Sequence, residues 1–291
     1  MAAVAKLPHA PAPAPEAPAP RPGMNVSFGD YSYRLSPRWG FGKPAHPRLQ
    51  RIFAAGRERY LKTLRLFAEL KPALERIPLE DAGDGRTPHW KNDWFPPLDA
   101  IALYGMLCVH EPETFVEIGS GNSTRFARRA ISDHGLKTKI ISIDPEPRAS
   151  IDHLSDEVVR MRLEDVDPEV FSSMSPNDLL FADNSHRSLQ NSDVTAFFLD
   201  VLPQAPPGTL VHVHDICLPD DYPPEWLGRI YNEQYLLATA LLYGESRLSV
   251  EFPSYFAFFD PELSAETRRL FGDGPLGALR LSGGSFWMRT R

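Results

Sequence analysis

Five places in this chain put acids, histidines or glycines where they could do chemistry. Glu117-Ile118-Gly119-Ser120-Gly121-Asn122-Ser123-Thr124 joins a carboxylate to a glycine loop, and Asp144-Pro145 follows 23 residues beyond Gly121. Further on stand Glu164, then Asp183 with His186 three residues later, then His212, His214 and Asp215. Gly119 and Gly121 allow a sharp turn and close approach of the backbone to a ligand. Amides opening a helix near Asn122–Arg125 would face an anion. Asp144 lies where a carboxylate can accept hydrogen bonds from both hydroxyls of a ribose. Neighbouring acids and histidines suit proton transfer near neutral pH or the holding of a divalent ion.

These residues need elements to position them, and the hydrophobic pattern supplies those elements. Phe115–Ile118 reads as a buried strand, Gly121–Asp133 as a helix and Ile140–Ile143 as a second strand, a βαβ unit of nucleotide-binding type. Short apolar runs at 157–162, 178–183, 209–214, 247–252 and 285–290 read as further strands. Helices are expected over 98–109, 193–201, 231–242 and, briefly, 262–270. Strands alternating with helices imply a parallel sheet. In such a sheet ligands bind beyond the carboxyl ends of the strands. Glu117, Asp144, Glu164, Asp183 and the His212–Asp215 run all fall at those ends, where burial without a partner would be costly.

What the glycine loop lacks narrows the ligand. Thr124 stands where a dinucleotide fingerprint wants a third glycine, and no P-loop Lys-Ser/Thr pair is present. Glu117 is a poor neighbour for a pyrophosphate and a good one for an ammonium group. A ligand with a ribose, an amino group and one carboxylate fits, and S-adenosylmethionine (SAM) is such a ligand. Here the chain resembles the class I SAM-dependent methyltransferases, whose first motif is an acid followed by Gly-x-Gly. Ser123 takes the third small position of that motif, often a glycine. The resemblance covers roughly residues 88–291. It implies an α/β three-layer sandwich: a mostly parallel seven-stranded sheet with an antiparallel last strand, a Rossmann-like fold. The closing run Gly284-Ser285-Phe286-Trp287-Met288-Arg289 resembles that last strand.

On this reading Glu117, Gly119, Ser120, Gly121, Asn122, Ser123, Asp144, Pro145, Glu164 and Asp183 hold SAM, with Glu164 facing the adenine amino group. His186 and His214 are the candidate general bases for methylation of a small-molecule acceptor, at a hydroxyl rather than an amine. The pairing of Asp-x-x-His after strand four with His-Asp after strand five resembles small-molecule and sugar-tailoring methyltransferases. It also resembles metal-dependent O-methyltransferases, which would make Asp183, His214 and Asp215 ligands of a divalent ion. A nitrogen ligand suits manganese, iron or zinc better than magnesium. Alternation places His212 and His214 on one face of strand five, and His212 is expected to be a core histidine. Three alternatives stay open: a non-haem-iron-type enzyme using His212, His214 and Asp215 with Asp183, a nicotinamide oxidoreductase, and a nucleoside-binding module without catalysis.

The rest of the chain sets limits. Residues 1–23 are rich in Ala and Pro and are expected to be an extended, disordered tail. Residues 24–97 are expected to form a strap and a helix over 48–71, a cap for the acceptor, with Pro72 ending the helix. Residues 98–291 are the SAM-binding domain. Trp90, Trp94, Trp226, Tyr231 and Tyr235 are candidates for an aromatic acceptor wall. The net charge of −7 argues against a general nucleic-acid partner. No apolar run is long enough to span a membrane, and prolines interrupt any leader. Cys108 and Cys217 lack metal-type spacing and read as reduced thiols of a cytoplasmic protein. The oligomeric state stays open, with a homodimer one option.

Overall fold

The computed structural model describes residues 35–147, 151–244 and 247–291. The expected tail, and the part of the strap over 24–34, lie outside the described residues.

The strands are β1 (Thr114–Ile118), β2 (Lys139–Ile143), β3 (Glu157–Val159), β4 (Leu179–Ala182), β5 (Leu210–Val213), β6 (Leu248–Pro253) and β7 (Phe286–Thr290). They form one sheet in the order β3-β2-β1-β4-β5-β7-β6. β7 pairs antiparallel with both its neighbours, and the other pairings are parallel. This is the expected mostly parallel sheet with an antiparallel last strand. β1, β4 and β5 are continuously apolar apart from Thr114, Glu117 and His212, as strands covered on both faces must be. The order reverses beside β1, which opens a crevice at the carboxyl ends of β1 and β4.

The helices are α1 (Pro47–Ala54), α2 (Arg57–Ala68), α3 (Lys71–Leu74), α4 (Pro97–His110), α5 (Asn122–His134), α6 (Glu169–Ser172), α7 (Asp193–Ala196), α8 (Leu202–Gln204), α9 (Glu233–Tyr243), α10 (Ser254–Phe259) and α11 (Pro261–Phe271). The helix expected over 48–71 is broken at Gly56 and again at Leu70, where Lys71-Pro72 starts a new turn rather than ending the old one. The helix expected over 193–201 widens into a π turn at Phe197–Val201. Pro203, just beyond, has no N–H with which to close a regular turn.

The N-terminal helices do not cap the crevice. α2 packs on α11, α4 and β6. Phe53, Tyr60, Leu64 and Phe67 are fully buried in the same hydrophobic core as the sheet, edge-on to Phe252 and Phe256. None of their residues lines the main cleft. Two pieces do position the site. α4 is apolar on all sides yet carries Asp99 in its first turn, fully buried. The start of α9 presents Glu233, also buried.

Candidate active site

A cleft of about 890 Å³ runs along the carboxyl ends of the parallel strands. Its one end is the glycine loop. Gly119 has φ +78°, and a Cβ there would stand 2.0 Å from the Asp183 carbonyl oxygen, so no other residue fits. Gly121 differs: its backbone is extended and a Cβ would meet nothing within 4 Å. It lines the cleft, so its missing side chain leaves space for a ligand.

Glu117 holds this loop from below. It is fully buried and does not line the cleft. Its carboxyl accepts from Ser123 Oγ (2.5 Å), Thr124 Oγ1 (2.6 Å) and Ser142 Oγ (3.2 Å). Burial pushes it up to about 8 despite these donors. The expected partner of a ligand ammonium is therefore a clamp between β1, the first turn of α5 and β2. Thr124, read from the sequence only as a missing glycine, is half of that clamp.

Asp144 lies at the loop's other flank. One carboxylate oxygen accepts from the Ser120 amide (2.8 Å) and hydroxyl (2.9 Å), and the other accepts from the Glu146 amide (2.9 Å). Oδ1 keeps one lone pair, enough for one hydroxyl, while the two lone pairs of Oδ2 are both taken by Ser120. Ser120, Asn122, Ser123, Pro145 and Glu164 line the cleft as expected, joined by Glu146 and Arg162, which the sequence did not single out. Asn92 ties the segment 89–95 to the loop: its side-chain oxygen accepts from Asn122 Nδ2 (3.1 Å) and from the Phe95 amide (2.7 Å).

At the other end of the cleft four side chains converge. Asp183 Oδ1 lies 3.3 Å from His186 Nε2 and 3.4 Å from His214 Nδ1. Asp215 reaches the same two nitrogens at 3.5 and 3.6 Å. Each ring's far nitrogen meets another carboxylate. His186 Nδ1 is 2.9 Å from Glu233 Oε2, and His214 Nε2 is 3.2 Å from Asp99 Oδ2. Burial alone would lower both histidines, yet Asp183, Asp215, Glu233 and Asp99 raise them well above the ordinary value. Burial would raise Asp183, but the His214 and His186 rings hold it far below the usual carboxylate range. Asp215 moves the other way, because burial outweighs its two histidines. His186 (φ +60°) and Asp215 (φ +53°) both adopt the left-handed region, costly for residues with a Cβ and common at functional sites.

The histidines line the cleft, but both ring nitrogens of each are engaged by carboxylates. Their side chains are 6% and 2% exposed, against 30% for Asp183 and 16% for Asp215, so the two carboxylates meet an incoming ligand first. Among the described residues no group of three or more His, Cys, Asp or Glu side chains has the arrangement that would hold a metal ion. The donor set Asp183, His214 and Asp215 is closed on itself by imidazole–carboxylate contacts and does not fit the expected divalent ion.

His212 shares a face with His214, with ring centroids 5.8 Å apart. It is fully buried, stacked on Phe181 at 3.8 Å and bonded through Nε2 to Ser285 Oγ at 2.8 Å. Burial drives it well below the ordinary value. It is a neutral core histidine, which removes the iron-type alternative built on His212, His214 and Asp215. Of the expected aromatic wall, Trp94 and Tyr231 line the cleft with Phe95. Trp90 instead packs on Phe126, while Trp226 and Tyr235 cluster around Tyr222.

Residues 116–216 match the model of a family described as a methyltransferase domain. The match begins in β1 and ends just beyond Asp215, so it includes the glycine loop, Asp144 and the cleft carboxylates but neither Asp99 nor Glu233. No curated protein matches the chain by sequence. Similar solved structures include the plantazolicin methyltransferase BpumL in complex with SAH (14% identity, 83% of this chain and 98% of that one, TM-score 0.37). The O-methyltransferase TomG from Streptomyces achromogenes, involved in tomaymycin synthesis and in complex with SAM, has 14% identity over 84% of this chain and 97% of its own, with TM-score 0.32. Cofactor-bound Rv0187 from MTB has 15% identity over 77% and 87%, with TM-score 0.32. At these values the likenesses carry no functional argument. Among the described residues no helix is long and apolar enough to cross a membrane.

Proposed function

We propose that the protein is a SAM-dependent methyltransferase that acts on a hydroxyl of a small-molecule acceptor. The observation that carries this reading is one cleft with two unlike ends, a glycine loop with a ribose-type carboxylate and a cluster built to manage a proton. The open space at Gly121 and the spare lone pair on Asp144 Oδ1 fit SAM. Gly119–Ser123 would hold its amino-acid end, Asp144 its ribose, and Pro145 and Glu164 its base. When bound, SAM supplies a methyl group on a sulfonium for in-line displacement by the acceptor oxygen.

The chain's own residues do the rest. Trp94, Phe95 and Tyr231 wall the acceptor end, exclude water and orient the hydroxyl. The hydroxyl's proton must leave as the oxygen–carbon bond forms. Asp215, lifted by burial above the usual carboxylate range, is the better matched base, and Asp183, held low by two imidazoles, the worse. His186 and His214 stand behind them as cationic partners, which compensate the negative charge at the cleft floor and take up hydrogen-bonding changes when the proton arrives. No step is assigned to a metal.

Calorimetric titration with S-adenosylhomocysteine, beside an Asp144→Ala control, tests the cofactor half. Micromolar binding lost in the control is the expected result, and folded protein without binding would overturn the reading. Labelled methyl transfer to a panel of phenols, sugars and amines tests the acceptor half, with label expected on hydroxyl compounds only.

A further inference from the structure

Glu233 has no packing reason to be a carboxylate. It is 1% exposed, and its Oε1 has no hydrogen-bond partner. An unpaired polar atom at such depth costs about 1–3 kcal/mol, and a leucine of similar length would avoid that cost. Its close hydrogen-bond contact is with His186 Nδ1, with the Asn184 side chain also beside its carboxyl. The same turn grips His186 through the main chain, since the His186 carbonyl accepts from the amides of Asn232 (3.0 Å) and Glu233 (3.3 Å). The left-handed backbone of His186 is thus held by the start of α9.

Asp99 repeats the arrangement for the second ring. It is fully buried in the first turn of an otherwise apolar helix. One oxygen accepts from the Gly284 amide (2.7 Å) and meets His214 Nε2 (3.2 Å), while the other accepts from the Ser285 amide (2.8 Å). The chain entering β7 is fixed by the same carboxylate that fixes His214. The result is a continuous row: Asp99, His214, the pair Asp183 and Asp215, His186, Glu233. The two inner carboxylates open to the cleft and the two outer ones are sealed in the core.

We infer that Asp99 and Glu233 are positioning residues of the proton-accepting cluster, each fixing one histidine ring by its far nitrogen so that the near nitrogens meet Asp183 and Asp215. A cationic ring whose two N–H groups each meet a carboxylate is held against flipping. The charged groups facing His186 are Asp183 and Asp215 from the β4 and β5 ends and Glu233 from α9, with Tyr231 against its ring and Arg187 stacked on Tyr231. Those facing His214 are Asp99 from α4, Asp183, Asp215 and the neutral His212. The inference rests on the methyltransferase reading only for what the cluster does, because the ring contacts stand without it.

The test uses the full chain with 15N-labelled histidine at one pH, and reads ring N–H resonances, S-adenosylhomocysteine binding and melting temperature together. Wild type should show two strongly downfield ring protons, the signature of imidazole–carboxylate pairs. Glu233→Gln should move the His186 signal upfield and leave the His214 signal in place. Asp99→Asn should do the reverse. S-adenosylhomocysteine affinity should stay within about twofold in both, since neither residue touches the glycine loop. If Asp99→Asn fails to fold because Gly284 and Ser285 lose their acceptor, the Glu233→Gln arm decides alone. A lower melting temperature with both ring signals unmoved would overturn the inference by assigning a purely structural role. Absence of S-adenosylhomocysteine binding in wild type would instead remove the cofactor reading while the ring signals still report on positioning.

Discussion

The two ends of the cleft, the glycine loop proposed for the cofactor and the carboxylate–histidine cluster proposed for the acceptor, are built by opposite strategies. The cofactor end is local: Glu117, Gly119, Ser120, Gly121, Ser123, Thr124 and Asp144 belong to one βαβ unit and satisfy one another through hydroxyls and amides. The acceptor end is assembled from four distant pieces of chain, with Asp99, Asp183, His214 and Glu233 brought together across the sheet. Its stability depends on paired charges in the core, which cost more than they return unless every partner is present. One end can tolerate a missing hydroxyl, whereas the other should respond to any single change of charge.

The largest expected effect breaks the first end. Gly119→Ala sets a Cβ against the Asp183 carbonyl and forces a positive φ on a residue with a side chain, so a loss of about 2–5 kcal/mol and of all cofactor binding should appear in denaturant melts and titration. Gly121→Ala sharpens the point. Its Cβ meets no protein atom, so the melting temperature should hold while S-adenosylhomocysteine affinity falls.

Next comes the acceptor end. Once an acceptor is in hand, Glu233→Gln should lower kcat by roughly 10²-fold with the KM for SAM unchanged. Asp144→Ala should give the mirror result, an affinity for S-adenosylhomocysteine weakened by about 10- to 100-fold from the loss of hydrogen bonds to a charged group. A kcat loss in both variants with equal affinity loss would erase the division between the ends.

A smaller effect is read in pH. Burial raises Glu117 to about 8 in the folded state, against 4.5 for the free group. A carboxyl with a raised folded value stabilises fully below the unfolded value, and that contribution is lost as pH rises to 8. Wild type should therefore lose stability relative to Glu117→Gln between about pH 4.5 and 8, by a few kcal/mol in order of magnitude, and the two curves should run parallel above that window. The smallest effect is His212→Phe. Stacking on Phe181 is kept and one hydrogen bond to Ser285 is lost, so stability should fall by about 1 kcal/mol with methyl transfer intact.

Much of the fold was legible in the sequence because its signals are local. Alternation of apolar runs with helical periodicity marked the parallel strands, while the run ending at Arg289 was read as antiparallel through the family resemblance. The glycine loop and Asp144 were legible for the same reason, as their spacing is set within one βαβ unit. Asp183, His186, His214 and Asp215 were visible as polar residues at strand ends. What could not be read was how they share protons. Glu233 lay in a stretch noted for its aromatics, and Asp99 in a helix noted for being apolar. The one signal for Asp99 was an acid in an otherwise greasy first turn.

The sequence by itself determined the strand order's raw material, the cofactor loop and the candidate chemistry at the strand ends, because periodicity and short spacing act over a few residues. Tertiary structure alone decided three things. It turned Glu117 from a ligand contact into a clamp, because Thr124 and Ser142 close on it. It gave His212, already expected to be a core residue, its partner Ser285 and gave His214 its partner Asp99, although the two histidines differ by two positions on one face. It gave each catalytic-end histidine a buried carboxylate from a distant helix. Pairing energies of that kind depend on distance and burial, which no local pattern encodes.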